Sequence, residues 1–143
     1  MTALICPLQI DDFNGLWSLE RHINHADGTR ATFSGQAEWT KAAGGYAYKE
    51  TGEMRIGDGA PLTAERRYFW KNDLGVYFND GRFFHDVPPQ GGDTYHWCDP
   101  DTYNGTYDFT AWPEFSVSWR VKGPKKQYVM HSKYKFIGLE GLR

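Results

Sequence analysis

The chain has 143 residues, enough for one ordinary hydrophobic core and too few for two independent ones, so residues 1–143 are read as a single domain. Sixteen basic and eighteen acidic residues leave a formal charge of -2, which supplies no global attraction to nucleic acid or anionic lipid. Aromatic side chains make up 17% of the chain, a share that excludes low-complexity disorder and a bundle built from Ala, Leu, Glu and Lys.

At the start of the chain, Met1 to Ile10 lacks the basic and long apolar segments of a signal peptide, and no later stretch approaches the roughly eighteen apolar residues of a membrane span. The expectation is a cytoplasmic protein in which Cys6 and Cys98 are free thiols. Leu8, Ile10 and Phe13 suit a short helical turn leading into the first strand. Everything after it has the spacing of strands. These are predicted over Leu16 to Ile23, Ala31 to Trp39, Tyr46 to Arg55, Leu62 to Lys71, Gly75 to Asn79, Arg82 to Val87, Thr94 to Cys98, Gly105 to Ala111, Phe115 to Val121 and Gln127 to Phe136. Asn79-Asp80-Gly81 gives the strongest hairpin signal, with Asp-Gly supplying the positive φ angles of a tight turn.

Short strands with short connections cannot form parallel units, which need long crossovers, so the sheet is expected to be antiparallel. The predicted fold class is all-β, an antiparallel up-and-down β-barrel of about ten strands with an interior cavity, ahead of a two-sheet sandwich. Alternation assigns the inward faces. Trp17, Leu19, Arg21 and Ile23 share one face of the first strand, and Ala31, Phe33, Gly35, Ala37 and Trp39 share one face of the second. Tyr46, Tyr48 and Glu50 follow in the third, then Leu62, Ala64, Arg66, Tyr68 and Trp70 in the fourth. Later strands contribute Tyr107 with Phe109, then Phe115, Val117 and Trp119, then Tyr128, Met130, Ser132 and Tyr134. The small residues of the second strand leave room for a cavity or for rings from a facing strand.

Two arginines and one glutamate therefore face inward, a surplus of one positive charge that an anionic ligand would balance. The alternatives are that one or both arginines reach a barrel mouth, or that Glu50 pairs with one while water serves the other. His96 and Cys98 share a face, and with His85, Asp99, Asp101 and His131 they form a thin pattern for zinc or haem. The competing expectation is that His96 hydrogen-bonds Asp101 or a tyrosine, and no cofactor or metal is predicted. Glu50 and His96 are the candidate catalytic groups, supported by Tyr68 and Tyr107. No nucleophile elbow, phosphate loop or dinucleotide fingerprint accompanies them. Lys122, Lys125 and Lys126 about Gly123-Pro124 read as a solvated hairpin tip.

Gly15-x-Trp17 at the head of the first strand resembles the opening signature of lipocalin and wider calycin barrels. There the Trp closes one barrel end against a basic residue of the last strand; here that strand offers Lys133 and Lys135, both on the face opposite Tyr134. A longer series adds Arg21 and Ile23, Tyr48-x-Glu50-x-Gly52, Arg66-x-Tyr68-x-Trp70, Phe78-x-Asp80-Gly81-Arg82-x-Phe84-His85, His96-x-Cys98-x-x-Asp101-x-Tyr103-x-Gly105-x-Tyr107, and Gly123-Pro124-x-Lys126-x-Tyr128. It resembles the bacterial lipocalin-like family catalogued as domain of unknown function 6314. The resemblance implies a calycin-type barrel and supplies no activity.

Three functions fit these residues. The first is a barrel enclosing a small anionic, partly planar organic molecule, its expected ligand-binding residues being Arg21, Glu50, Arg66, Tyr68, His85, His96, Tyr107, Trp119 and Tyr128. The second is an enzyme of decarboxylase, isomerase or cyclase type using Glu50 or His96 in the same cavity. The third is a filled barrel acting through a homodimer or another protein partner. No nucleic-acid or membrane partner is expected.

Overall fold

The computed structural model describes residues 6–139; the part of Met1–Ile10 before Cys6 lies outside them. A 3-10 turn, Ile10–Phe13, precedes ten strands: β1 (Gly15–His25), β2 (Arg30–Ala42), β3 (Gly45–Ile56), β4 (Leu62–Lys71), β5 (Gly75–Phe78), β6 (Phe83–Asp86), β7 (Gly92–Cys98), β8 (Asp101–Asp108), β9 (Phe115–Lys122) and β10 (Gln127–Gly138). They form one antiparallel sheet in the order β6-β5-β4-β3-β2-β1-β10-β9-β8-β7. The pairing of β1 with β10 curls the meander into a barrel, the first and last strands meeting in its middle. The all-β, antiparallel up-and-down architecture matches the expectation from alternation and turn spacing.

Ladder hydrogen bonds run between every pair of neighbours in that order but not between β6 and β7, which are its two ends. Rings cross this seam instead. Phe84 on β6 stacks on Phe78 at 4.7 Å and on Trp119 of β9 at 5.1 Å, with interplanar angles of 22° and 20°. It also meets His96 of β7 edge-on at 5.1 Å. Such ring pairs add attraction beyond the area they bury, which suits them to a gap without backbone bonds.

The 3-10 turn plugs one end. Phe13 is wholly buried among Trp39, Trp70, Phe109, Trp112 and Phe115, with ring centroids 5.1 to 6.0 Å away. Trp17 is also wholly buried, and its indole N–H donates to the Phe13 carbonyl at 2.9 Å. The residue of the last strand that meets it is Phe136, edge-on at 5.1 Å, because Phe136 is its partner in the ladder. Lys133 and Lys135 are both exposed on the outer face, so neither closes this end.

Two local expectations are corrected. The β5–β6 turn has a positive φ at Gly81 (94°) but not at Asp80, and Gly81 N–H closes it on the Phe78 carbonyl at 2.9 Å. An Asp80 side chain that accepts from Arg82 N–H at 3.0 Å makes the second positive φ unnecessary. The eighth strand begins and ends earlier than Gly105 to Ala111. Cys98 pairs with Asp101 across the short Asp99-Pro100 turn, so pairing starts at once. At the far end Asp108 accepts from Thr110 N–H at 2.9 Å, which turns the chain out of the ladder.

Candidate functional site

The open end of the barrel leads to a cavity of about 230 Å³. All nine residues expected to bind a ligand line it, from Arg21 on β1 to Tyr128 on β10. The inward alternation holds along β1 to β3, with Trp17, Leu19, Arg21, Phe33, Ala37, Trp39, Tyr46, Tyr48 and Glu50 all buried, but at the start of β4 Leu62, also expected inward, is exposed. On the second strand the room at Gly35 is taken by the neighbouring backbone, since a Cβ there would lie 2.1 Å from the Thr51 carbonyl oxygen; on β8 a ring takes it, a Cβ on Gly105 lying 2.8 Å from the Trp119 indole.

The buried charges form one closed network. Arg21 donates two parallel hydrogen bonds to Glu50, Nη1 to Oε1 and Nη2 to Oε2, each 2.8 Å, and a third from Nε to Ser132 Oγ at 2.7 Å. Arg21 and Glu50 are only 6% and 4% exposed. Burial opposes both charges, yet the hydrogen bonds and the field each exerts on the other prevail, so the carboxyl sits below its ordinary range and the guanidinium above its own. An ionised Glu50 only accepts, hence Tyr48 donates to Oε2 at 2.5 Å and takes a bond from Tyr134 OH at 2.7 Å. Burial and the Glu50 charge push both phenols well above the usual tyrosine range.

Arg66 stands outside this network. It was expected inside the barrel, but the strand carries it to the mouth, where it is exposed. Its Nη1 reaches the hydroxyl of half-buried Tyr68 at 3.4 Å, and among the described residues it forms no ion pair. It borders both the cavity and a shallow outer groove shared with Tyr68, Phe78 and Arg82. Arg82 is occupied by Asp80 at 2.8 Å, and Lys126, across the mouth on β10's turn, by Asp101 at 3.2 Å.

The β6–β7 wall carries the histidines. His85 is 3% exposed, with Nε2 2.8 Å from Tyr107 OH and Nδ1 buried without a hydrogen-bond partner among the described residues. Burial, with some help from His96, pushes its pKa down to about 3, so the ring is neutral. His96 is half-buried and its Nε2 also lacks a partner among the described residues. Its pKa is lowered chiefly by burial, with Arg82 adding to the effect and a backbone hydrogen bond at Phe84 opposing it. Asp101 does not engage His96, because Lys126 holds its carboxylate.

Cys6 and Cys98 are free thiols, and Cys98 lines the cavity. Among the described residues no group of three or more His, Cys, Asp or Glu is placed to hold a metal ion, and no helix is long and apolar enough to cross a membrane. Sequence reasoning missed Phe84 and Tyr103 as lining residues. Tyr103 lay outside the predicted eighth strand. Phe84 and His85 are adjacent yet both buried, where a regular strand would bury one; the register of β5 against β6 shifts between Val76 and Tyr77, which no local pattern announces.

The family model of DUF6314, a family of unknown function, matches residues 13–136, and the chain belongs to that family. No curated protein matches the chain in sequence. Among solved structures, the S-type phycobiliprotein lyase CPES from Guillardia theta superposes with a TM-score of 0.63 at 8% identity, over 92% of each chain. A protein of unknown function from the DUF3598 family of Nostoc punctiforme gives 0.56 at 13% identity, over 92% of this chain and 50% of that one. Identities this low show a shared barrel fold and nothing of its chemistry.

Proposed function

We propose that this DUF6314 barrel binds a small, anionic, partly planar organic molecule, with rings packing its faces and Arg66 gripping its acid group. The observation that carries the reading is the position of Arg66. The buried pair Arg21–Glu50 is already neutral and saturated, so the surplus positive charge inferred from composition of the interior resides on a guanidinium at the cavity mouth, without a carboxylate partner among the described residues. A guanidinium there can meet a carboxylate, sulfonate or phosphate with two parallel hydrogen bonds. The volume of about 230 Å³ lies just below the roughly 300–1,000 Å³ of drug-sized pockets and suits a molecule of one or two rings. Free thiols at Cys6 and Cys98 suit a cytoplasmic setting.

Acid-base catalysis by Glu50 has less support, since three hydrogen bonds hold it as a carboxylate and leave it a poor proton carrier. One neighbour in fold is named as a phycobiliprotein lyase; its identity of 8% transfers neither that substrate nor that reaction.

Fluorescence titration with 2-naphthoate tests the proposal. Saturable binding is expected, weakened roughly ten- to a hundredfold in Arg66→Met, the range for losing a charge-assisted hydrogen bond. Absence of binding to the native protein, or equal affinity in a folded Arg66→Met variant, overturns it.

A further inference from the structure

Two buried polar atoms on one wall of the cavity remain unmatched. His85 Nδ1 and His96 Nε2 have no hydrogen-bond partner among the described residues, and both rings border the cavity and flank Phe84, with centroids 4.3 and 5.1 Å from it. Buried polar groups in native proteins are nearly always satisfied, because desolvating one without compensation costs about 1–3 kcal/mol, and each exception asks for a reason.

The proton on His85 follows from counting. Tyr107 OH has His85 Nε2 as its only hydrogen-bond partner among the described residues. Were Nε2 protonated, it would donate to the phenol oxygen and leave two unmatched sites, the phenol hydrogen and the Nδ1 lone pair. If Tyr107 donates to Nε2 instead, one unmatched site remains, an N–H at Nδ1. The second arrangement wastes less, so His85 presents a donor.

The wall's position sets the ligand's polarity. In the ring of ten strands β1 lies five places from β6 and four from β7, so the imidazoles stand on the wall opposite Arg21. Phe78, Phe84 and Trp119 line the space beside them with stacked faces.

We infer that the His85–His96 wall is a second recognition subsite, which takes a hydrogen-bonding oxygen, hydroxyl or carbonyl, carried on the ring system of an aromatic acid. His85 Nδ1–H donates to that oxygen, and a hydroxyl can donate in turn to His96 Nε2. This deepens the anion-binding reading and rests on it: the ligand class becomes a hydroxy- or oxo-substituted aromatic acid.

Paired probes separate the two levels. The 6- and 7-hydroxy-2-naphthoates are compared by fluorescence titration with the corresponding 6- and 7-methyl compounds, which match them in size and acid group. In an apolar cavity without a partner the methyl compound of each pair wins; here at least one hydroxyl compound is expected to bind about tenfold more tightly than its methyl partner, as for one hydrogen bond to a buried group. The order should reverse in His85→Leu. Methyl compounds binding as well or better at both positions of the native protein overturn the subsite while leaving anion binding intact, and this comparison needs no variant to fold. An undiminished hydroxyl preference in folded His85→Leu overturns the assignment to His85. Failure of every naphthoate to bind overturns the anion-binding reading itself.

Discussion

Arg66 faces Glu50 directly across the β3–β4 ladder, yet Glu50 gives both its oxygens to Arg21, two strands away on β1. Ladder adjacency would make Arg66 the natural partner. Depth decides otherwise: Arg21 is buried beside Ser132 and has no other counter-charge among the described residues, whereas Arg66 can keep its head in water. The barrel thus holds one arginine for structure and one at the mouth.

Removing one member of the buried pair strands the other. Arg21→Met and Glu50→Gln are each expected to lower stability by about 3–5 kcal/mol, while Arg21→Met with Glu50→Leu recovers most of that loss. Arg66→Met should cost under about 1 kcal/mol, as an exposed side chain without an ion pair. Urea denaturation of the four variants checks the split; equal losses at Arg21 and Arg66 contradict it.

His85 makes stability depend on pH in a window that carboxylates do not cover. Its folded pKa is depressed to about 3, so below the ordinary histidine value near 6.5 the unfolded chain takes up a proton that the folded one refuses. Stability is full above about pH 6.5 and falls continuously toward pH 3, by on the order of 5 kcal/mol in all. Glu50, also depressed in the folded state, adds its own loss only as pH falls below the ordinary carboxylate range near 4.3. Thermal melts between pH 7 and pH 5 should therefore decline in the native protein and decline less steeply in His85→Gln, where the smaller contribution of His96, also depressed in the folded state, remains. Parallel slopes in the two proteins rule this account out.

Alternation makes the interior readable because each strand from β1 to β4 is long and regular, so the sequence alone places Trp17, Arg21, Tyr48 and Glu50 inside. The pattern could not rank the arginines, since both lie in phase and each stands four residues from a buried tryptophan, Trp17 or Trp70. It was weakest at β5 and β6, four residues each, where a register shift buries neighbours Phe84 and His85 together. The polar partners on that wall depend on contacts across the seam, which are remote in sequence.

Gly35 and Gly52 pair opposite each other on β2 and β3, and a Cβ on Gly35 would stand 2.1 Å from the Thr51 carbonyl oxygen and 2.6 Å from the Gly52 Cα. This close backbone approach marks a tight bend in the barrel wall. Gly35→Ala should destabilise by on the order of 2–3 kcal/mol even though it adds one methyl group, because two backbones must separate. Calorimetry of Gly35→Ala beside an exposed control such as Gly44→Ala does not suffice, since Gly44 has a positive φ of 84° and is strained by any side chain. Thr32→Ala, exposed on the same strand, is the proper control and should cost under about 1 kcal/mol.

The seam between β6 and β7 is held by side chains alone, which singles out Phe84. Its ring touches Tyr68 and Phe78 on one side of the gap and His96, Tyr103 and Trp119 on the other. Phe84→Ala removes that bridge and should cost about 3–5 kcal/mol, typical of a large ring deleted from a core. The effect on exchange distinguishes a bridge from ordinary core filler. Amides of β6 and β7 should exchange by local opening, their protection falling further than global stability accounts for, while β1, β2 and β3 lose protection only in step with it. Phe84→Leu, which keeps apolar bulk but loses the stacked faces, should restore much of the global stability and little of the protection at the seam. Uniform loss of protection across all strands in both variants would mean that the seam opens only when the whole barrel does.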